Sequence, residues 1–146
     1  MPTLTVTIKE EVVLDGSDHG SETIVDINAV ENFYERSLGC SQTEVSIFSF
    51  SATQSGSTFE SGSLEYLRIT NQDSSEFAII RVLGNNEEYF VKLPPKDSFI
   101  LFSDEMDSNA TGSASPSLAN IEDIKIQVDP AALGNPEIKI AIFAAS

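Results

Sequence analysis

The stretch TLTVTIK, residues 3–9, alternates without a break, and that alternation recurs almost to the end of the chain. Leu4, Val6 and Ile8 fall on one side; Thr3, Thr5 and Thr7 fall on the other. A two-residue period puts successive side chains on opposite faces of a strand, and β-branched residues suit a pleated, half-buried surface. The same pattern returns in LEYLRITN, with Leu67 and Ile69 opposite Tyr66 and Arg68, and in FAIIRVLG. It closes the chain in IEDIKIQVD, where Ile124, Ile126 and Val128 form a stripe, and in PEIKIAIF, where Ile138, Ile140 and Ile142 do. In TEVSIFSF, Val45 and Ile47 oppose Phe48 and Phe50, which predicts a strand covered on both faces.

Turn-forming clusters punctuate these runs: DGSDHGSE, QSGSTFESGS, NQDSSE, NNEE and PAALGN. Short strands broken by turn signals every eight to twelve residues or so mark an all-β sandwich or barrel. The expectation is an all-β fold, an antiparallel β-sandwich or jelly-roll-like barrel of about eight or nine strands. With 146 residues, a single domain over 1–146 is expected. No strand–helix–strand alternation points to a parallel sheet, and no repeat of fixed period is present.

Four segments add local expectations. Between Asn28 and Leu38, apolar residues fall near helical spacing, Glu31 follows Asn28 as in a capping box, and Gly39 could stop a helix. The β-branched run before it supports two short strands instead, and both readings stand. YFVKLPPKDSFILF reads as a hairpin-like pair of strands about a proline-enforced corner, because Pro94 and Pro95 cannot donate to a ladder. NQDSSE reads as a tight polar connection between antiparallel strands. Residues 104–120 are long, polar and unpatterned, and compact domains rarely keep such a loop without a use for it.

Charge narrows the partners. There are 23 acids against eight Lys plus Arg, a formal net charge of −15, spread along the chain. Such a field repels phosphate backbones and anionic bilayers, so neither nucleic acid nor membrane is an expected partner. Its plain meaning is a soluble, self-repelling surface; its sharper one is a face for a basic partner or divalent cations. The N-terminal residues lack the basic start and apolar run of a cleaved leader, and no stretch approaches the ~18 apolar residues of a membrane span.

Motifs of catalysis are missing: no Gly-rich phosphate loop, no nucleophile elbow and no HExxH. Cys40 is the one cysteine, expected as apolar filler, and the one histidine, His19, sits in a Gly-rich loop. Glu10 with Glu11 at a strand end, and Glu87 with Glu88 in a turn, are carboxylate pairs of the kind an acidic chain makes by chance. Asp15, Asp18 and His19, and separately Asp104, Glu105, Asp107 and Asn109, are oxygen-rich loop sets without EF-hand spacing. The expectation is no enzyme, no cofactor and no assigned catalytic or metal residue.

The middle of the chain resembles a group of small virion proteins of marine tailed phages, cyanophages included. The resemblance rests on Arg68-Ile69-Thr70-Asn71, then an apolar strand, Lys92-Leu93, and Ser98-Phe99-Ile100-Leu101. SLANIEDIKIQ and TEVSIFSF extend it to about two-thirds of the chain. Pro94-Pro95-Lys96-Asp97 stands where that pattern has a Gly-containing turn. The resemblance implies a structural protein of the phage particle, assembled in the host cytoplasm. A capsid decoration (cement) protein touching the major capsid protein or other virion proteins, as a homo-oligomer and by precedent a trimer, is one such post. A tail- or fibre-associated module binding a host receptor or glycan is the alternative, with Tyr34, Tyr66 and Tyr89 as its tyrosines.

Overall fold

The computed structural model describes residues 1–53, 58–84, 87–107 and 117–146, and among them there is no helix. Two compact units divide the chain, Met1–Asn32 and Phe33–Ser146.

The first unit is a two-stranded ribbon. β1 (Thr3–Glu10) runs antiparallel to β4 (Ser21–Asn28) in unbroken register, from Thr3 opposite Asn28 to Glu10 opposite Ser21. At the far end β2 (Val13–Leu14) pairs with β3 (Ser17–Asp18). Asp15 and Gly16 join them with φ of 51° and 79°. Two left-handed residues in a two-residue loop make a type I′ turn, whose twist matches that of the strands it joins. The alternation in TLTVTIK does form a strand, but β4 is its one ladder partner among the described residues.

The second unit is a sandwich of a four-stranded and a five-stranded sheet, antiparallel but for one short edge strand. One has the order β11 (Ser98–Leu101), β8 (Tyr66–Asn71), β15 (Ile138–Ala145), β5 (Phe33–Cys40). The other has β10 (Glu87–Leu93), β9 (Ala78–Gly84), β14 (Asp123–Val128), β6 (Val45–Ser51), with a short β7 (Thr58–Glu60) parallel to β6. β12 (Glu105–Met106) and β13 (Ala119–Asn120) form a separate small pair. The pairing is nested: β5 with β15, β6 with β14, β8 with β11, β9 with β10. A long hairpin folded over on itself in this way is the connectivity of a jelly roll.

The core follows the alternation. Leu67 and Ile69 of β8, Ile80 and Val82 of β9, Ile124, Ile126 and Val128 of β14, and Ile140 and Ile142 of β15 are buried to within about 1% of completely. Each forms part of one cluster between the two sheets. Phe48 anchors an aromatic corner, with ring centroids 5.9 Å from Tyr34, 5.2 Å from Phe50 and 4.8 Å from Phe59.

Three local expectations are corrected. Residues 28–38 hold no helix: β4 ends at Asn28, Ala29 turns the backbone at φ 62°, and β5 begins at Phe33. The β-branched run Thr23-Ile24-Val25 and the pairing of β5 along all of β15 outweigh a chance helical spacing. In β6, Ile47 and Phe48 are both buried, yet in the same core. The ladder to β14 shifts between Ile124 and Lys125, so Phe48 and Ser46 take neighbouring partners and Ile47 is the extra residue of a bulge. Cover on both faces is not the reason for the doubled apolar run.

The third concerns the connections. YFVKLPPKDSFILF is no hairpin, because β10 belongs to one sheet and β11 to the other. NQDSSE likewise carries the chain from β8 in one sheet to β9 in the other. Both crossovers are tied to Asn71, which is fully buried. Its Nδ2 donates to the carbonyls of Glu76 at 2.9 Å and Leu93 at 3.3 Å, and its Oδ1 accepts from the Asp73 amide at 3.0 Å. The corner itself is closed by Asp97 N donating to the Pro94 carbonyl at 3.3 Å, with Lys96 at φ 65°. Pro95 followed by a left-handed residue is the type II arrangement.

Candidate interaction surfaces

The one cysteine and the one histidine belong to different units. Cys40 ends β5 in the sandwich core, and burial pushes its thiol up to about 11. A buried thiol held protonated is inert, as an apolar filler would be. His19 lies in the N-terminal unit, where its backbone amide donates to the Val12 carbonyl at 2.8 Å. Glu87 and Glu88 open β10 rather than occupy a turn, and Glu88 accepts from Arg81 Nε at 2.7 Å.

The oxygen-rich loops also have other partners. Asp15 forms the ribbon turn, and Asp18 accepts from the Gly20 amide at 2.8 Å. Asp107 accepts from the Ser117 amide at 2.6 Å. Asn109 lies outside the described residues, as does much of the 104–120 loop. Among the described residues, no group of three or more His, Cys, Asp or Glu side chains could hold a metal ion. Asp104 is 8% exposed, and its Oδ2 has no hydrogen-bond partner among the described residues. Its backbone carbonyl accepts from the Ile121 amide at 2.6 Å, which fixes the strand-like approach to β14.

Each of the three tyrosines packs against another ring or the core. Tyr34 packs against Phe48, and Tyr89 lies half-buried against the core, where burial raises its phenol. Tyr66 is buried, with ring centroids 5.4 Å from Phe102 and 6.1 Å from Phe143. A groove of about 410 Å³ is lined by Ser37, Leu38, Gly39, Glu137, Ile138 and Lys139.

What the protein does present is outward-facing sheet surface. On the β11-β8-β15-β5 sheet, register puts Glu35, Phe143, Arg68 and Ile100 in one row, and Phe33, Ala145 and Tyr66 in the next. Phe33, Phe102 and Ile100 are exposed there. On the opposite sheet the outer face is charged and internally paired. Arg81 bonds Glu88 and also reaches Glu44 at 3.0 Å, with its guanidinium 5.6 Å from the Phe90 ring centroid. These carboxylates raise the affinity of Arg81 for its proton.

The ribbon also exposes apolar side chains. Near its open end Val6 and Ile27 are buried; at the tip Val13 is 66% exposed and Leu14 59%. Val12 and Ile24 are exposed as well. Seven acids against one lysine lie in residues 1–32, among them Glu10, Glu11, Asp15 and Asp18 around the tip. Sequence reasoning passed over this site because it took DGSDHGSE for a loop. The signal was present: Asp-Gly between Val-Leu and Ser-Asp is the two-residue hairpin signature. No protein-family model, no curated protein and no solved structure matches this chain.

Proposed function

We propose that this chain is a structural protein of a phage particle, a capsid decoration (cement) protein that stabilises the head by bridging neighbouring shell subunits. The observation that carries the reading is where the apolar surface lies. Apolar side chains stand exposed on the ribbon, at Val13, Leu14 and Ile24, and on one sheet face, at Phe33, Ile100 and Phe102, which suits packing against neighbours. An acidic jelly roll carrying an apolar-tipped ribbon is suited to adhesion, and jelly rolls recur in viral shells, an analogy of fold only. The resemblance in residues 68–71, 92–93 and 98–101 supports the same reading. It assigns no catalytic residue, cofactor or metal, and its partners are the major capsid protein and further copies of the chain.

Purified particles of a phage that encodes this chain, analysed by mass spectrometry and cryo-electron microscopy, test it. The expected result is many copies on the head surface at symmetric positions. Absence from the particle overturns it.

A tail- or fibre-associated module is favoured by a different observation, the exposed rings of Phe33 and Phe102 beside Tyr66 on one sheet face. Aromatic faces stack on sugars as they do on other apolar planes. Density for the chain on the tail, together with binding on a glycan array, would replace the head assignment with this one.

A further inference from the structure

We propose that the N-terminal ribbon is a docking arm whose tip seats Val13 and Leu14 in an apolar pocket on a basic protein surface. The inference rests on the virion reading, in which that surface belongs to the shell protein.

The ribbon has the build of a part completed by something else. It is a single layer of two strands, and an isolated two-stranded hairpin is marginal in water. β1 and β4 pair with each other alone among the described residues, so each leaves a backbone edge open to further pairing. Apolar side chains are exposed at the tip, at Val13 and Leu14, and along the stem at Ile24. The type I′ turn at Asp15 and Gly16 fixes the tip's shape, so little order is lost when it is buried. Cross-strand bonds from Thr5 to Asp26 at 2.8 Å and from Ser21 to Glu10 at 2.8 Å hold the stem in register.

Charge selects the occupant. Around the tip stand Glu10, Glu11, Asp15, Asp18 and Glu22, with Lys9 alone opposing them and already engaged with Glu11 at 3.0 Å. A nucleic acid or an anionic bilayer is repelled by that ring. A second copy brings a formal charge of −15 to the same contact. A basic protein surface turns the ring into an attraction that speeds encounter, while the apolar pair holds the complex.

The test uses heads of a phage that encodes this chain, stripped of it, with the full-length chain rebound and measured by co-sedimentation at low and high salt. Wild type is expected to bind, more weakly as salt rises. The double variant Val13→Asp/Leu14→Asp is expected to bind about 100-fold more weakly or worse, from the loss of two buried apolar side chains. Leu133→Asp, at an exposed site in the sandwich unit, should bind as wild type does. Glu11→Gln/Glu22→Gln, which leaves the apolar tip intact, should flatten the salt dependence.

Equal binding by the Val13/Leu14 variant overturns the arm and leaves the virion reading standing. Failure of wild type to bind removes the capsid-decoration reading and, with it, the partner named here. Salt-independent binding overturns the basic surface. Self-association by sedimentation equilibrium that the double variant abolishes would put a second copy on the tip and overturn the assignment.

Discussion

The side-chain amide of Asn71 donates to the backbone carbonyl of Leu93 at 3.3 Å, and through that bond the end of one sheet is tied to the end of the other. Asn71 closes β8 and Leu93 closes β10. Its other bonds, to Glu76 and Asp73, hold the crossover that leaves β8. Asn71→Leu keeps the branched shape but strands two carbonyls and an amide, so it is expected to cost about 2–4 kcal/mol. Urea unfolding followed by circular dichroism measures this; a loss within experimental error would show that the knot is dispensable.

Gly84 ends β9 against the strand that leads into β14. A Cβ there would stand 2.6 Å from the Asn120 carbonyl oxygen and 3.3 Å from Ile121 Cα. Both are backbone atoms and cannot swing aside. Gly84→Ala is expected to destabilise the sandwich by about 2 kcal/mol, visible as a lowered urea midpoint.

Cys40 makes stability depend on alkaline pH. Its folded pKa of about 11 lies above the ordinary thiol value, so the folded state holds its proton more tightly than the unfolded chain does. The contribution is complete below the unfolded pKa and is lost as pH rises through the folded one, between about 9 and 11. Wild type should lose more stability than Cys40→Ala between pH 8 and pH 10.5. The thiol should also resist an aromatic disulfide reagent at pH 8 until denaturant is added.

Lys96 occupies the left-handed position of the proline corner at φ 65°, where a Cβ is strained. Its ammonium group bonds the Gln72 carbonyl, an exposed contact of small worth. Lys96→Gly is expected to raise stability by up to about 1 kcal/mol, and Lys96→Ala to lower it, since alanine keeps the strain and loses the bond. Thermal melts of the two variants against wild type distinguish these directions.

Asp73 contributes in acid. Its carboxylate accepts from the Ser75 and Glu76 amides at 2.8 Å, and those bonds lower its pKa. That stabilisation is present above the ordinary aspartate value and is lost as pH falls through the lowered one. Asp73→Asn should therefore flatten the decline of stability between pH 5 and pH 3, measured by melts across that range.

Alternation in the amino-acid sequence was enough to place most strands and the inward stripes of Ile124, Ile126, Val128, Ile138, Ile140 and Ile142. It failed where two residues stood for one. Ile47 and Phe48 mimic a strand apolar on both faces, and only the ladder to β14 reveals a bulge. The N-terminal ribbon was half legible: its first strand was clear and the β-branched run Thr23 to Ile27 pointed to its partner, but the tight turn at Asp15 and Gly16 was taken for a loop.

The sequence by itself determined that this chain is all-β, and which side of each strand faces a core, because period two and side-chain polarity are local properties. Tertiary structure alone decided which sheet each strand joins. The inward faces of the two sheets are chemically alike, mostly Ile, Val, Leu and Phe with a few Ala, so local pattern cannot separate a hairpin from a crossover. Long-range pairing can: β5, first in the unit, pairs along its whole length with β15, the last, and the strands on either side of Pro94 and Pro95 part into different sheets.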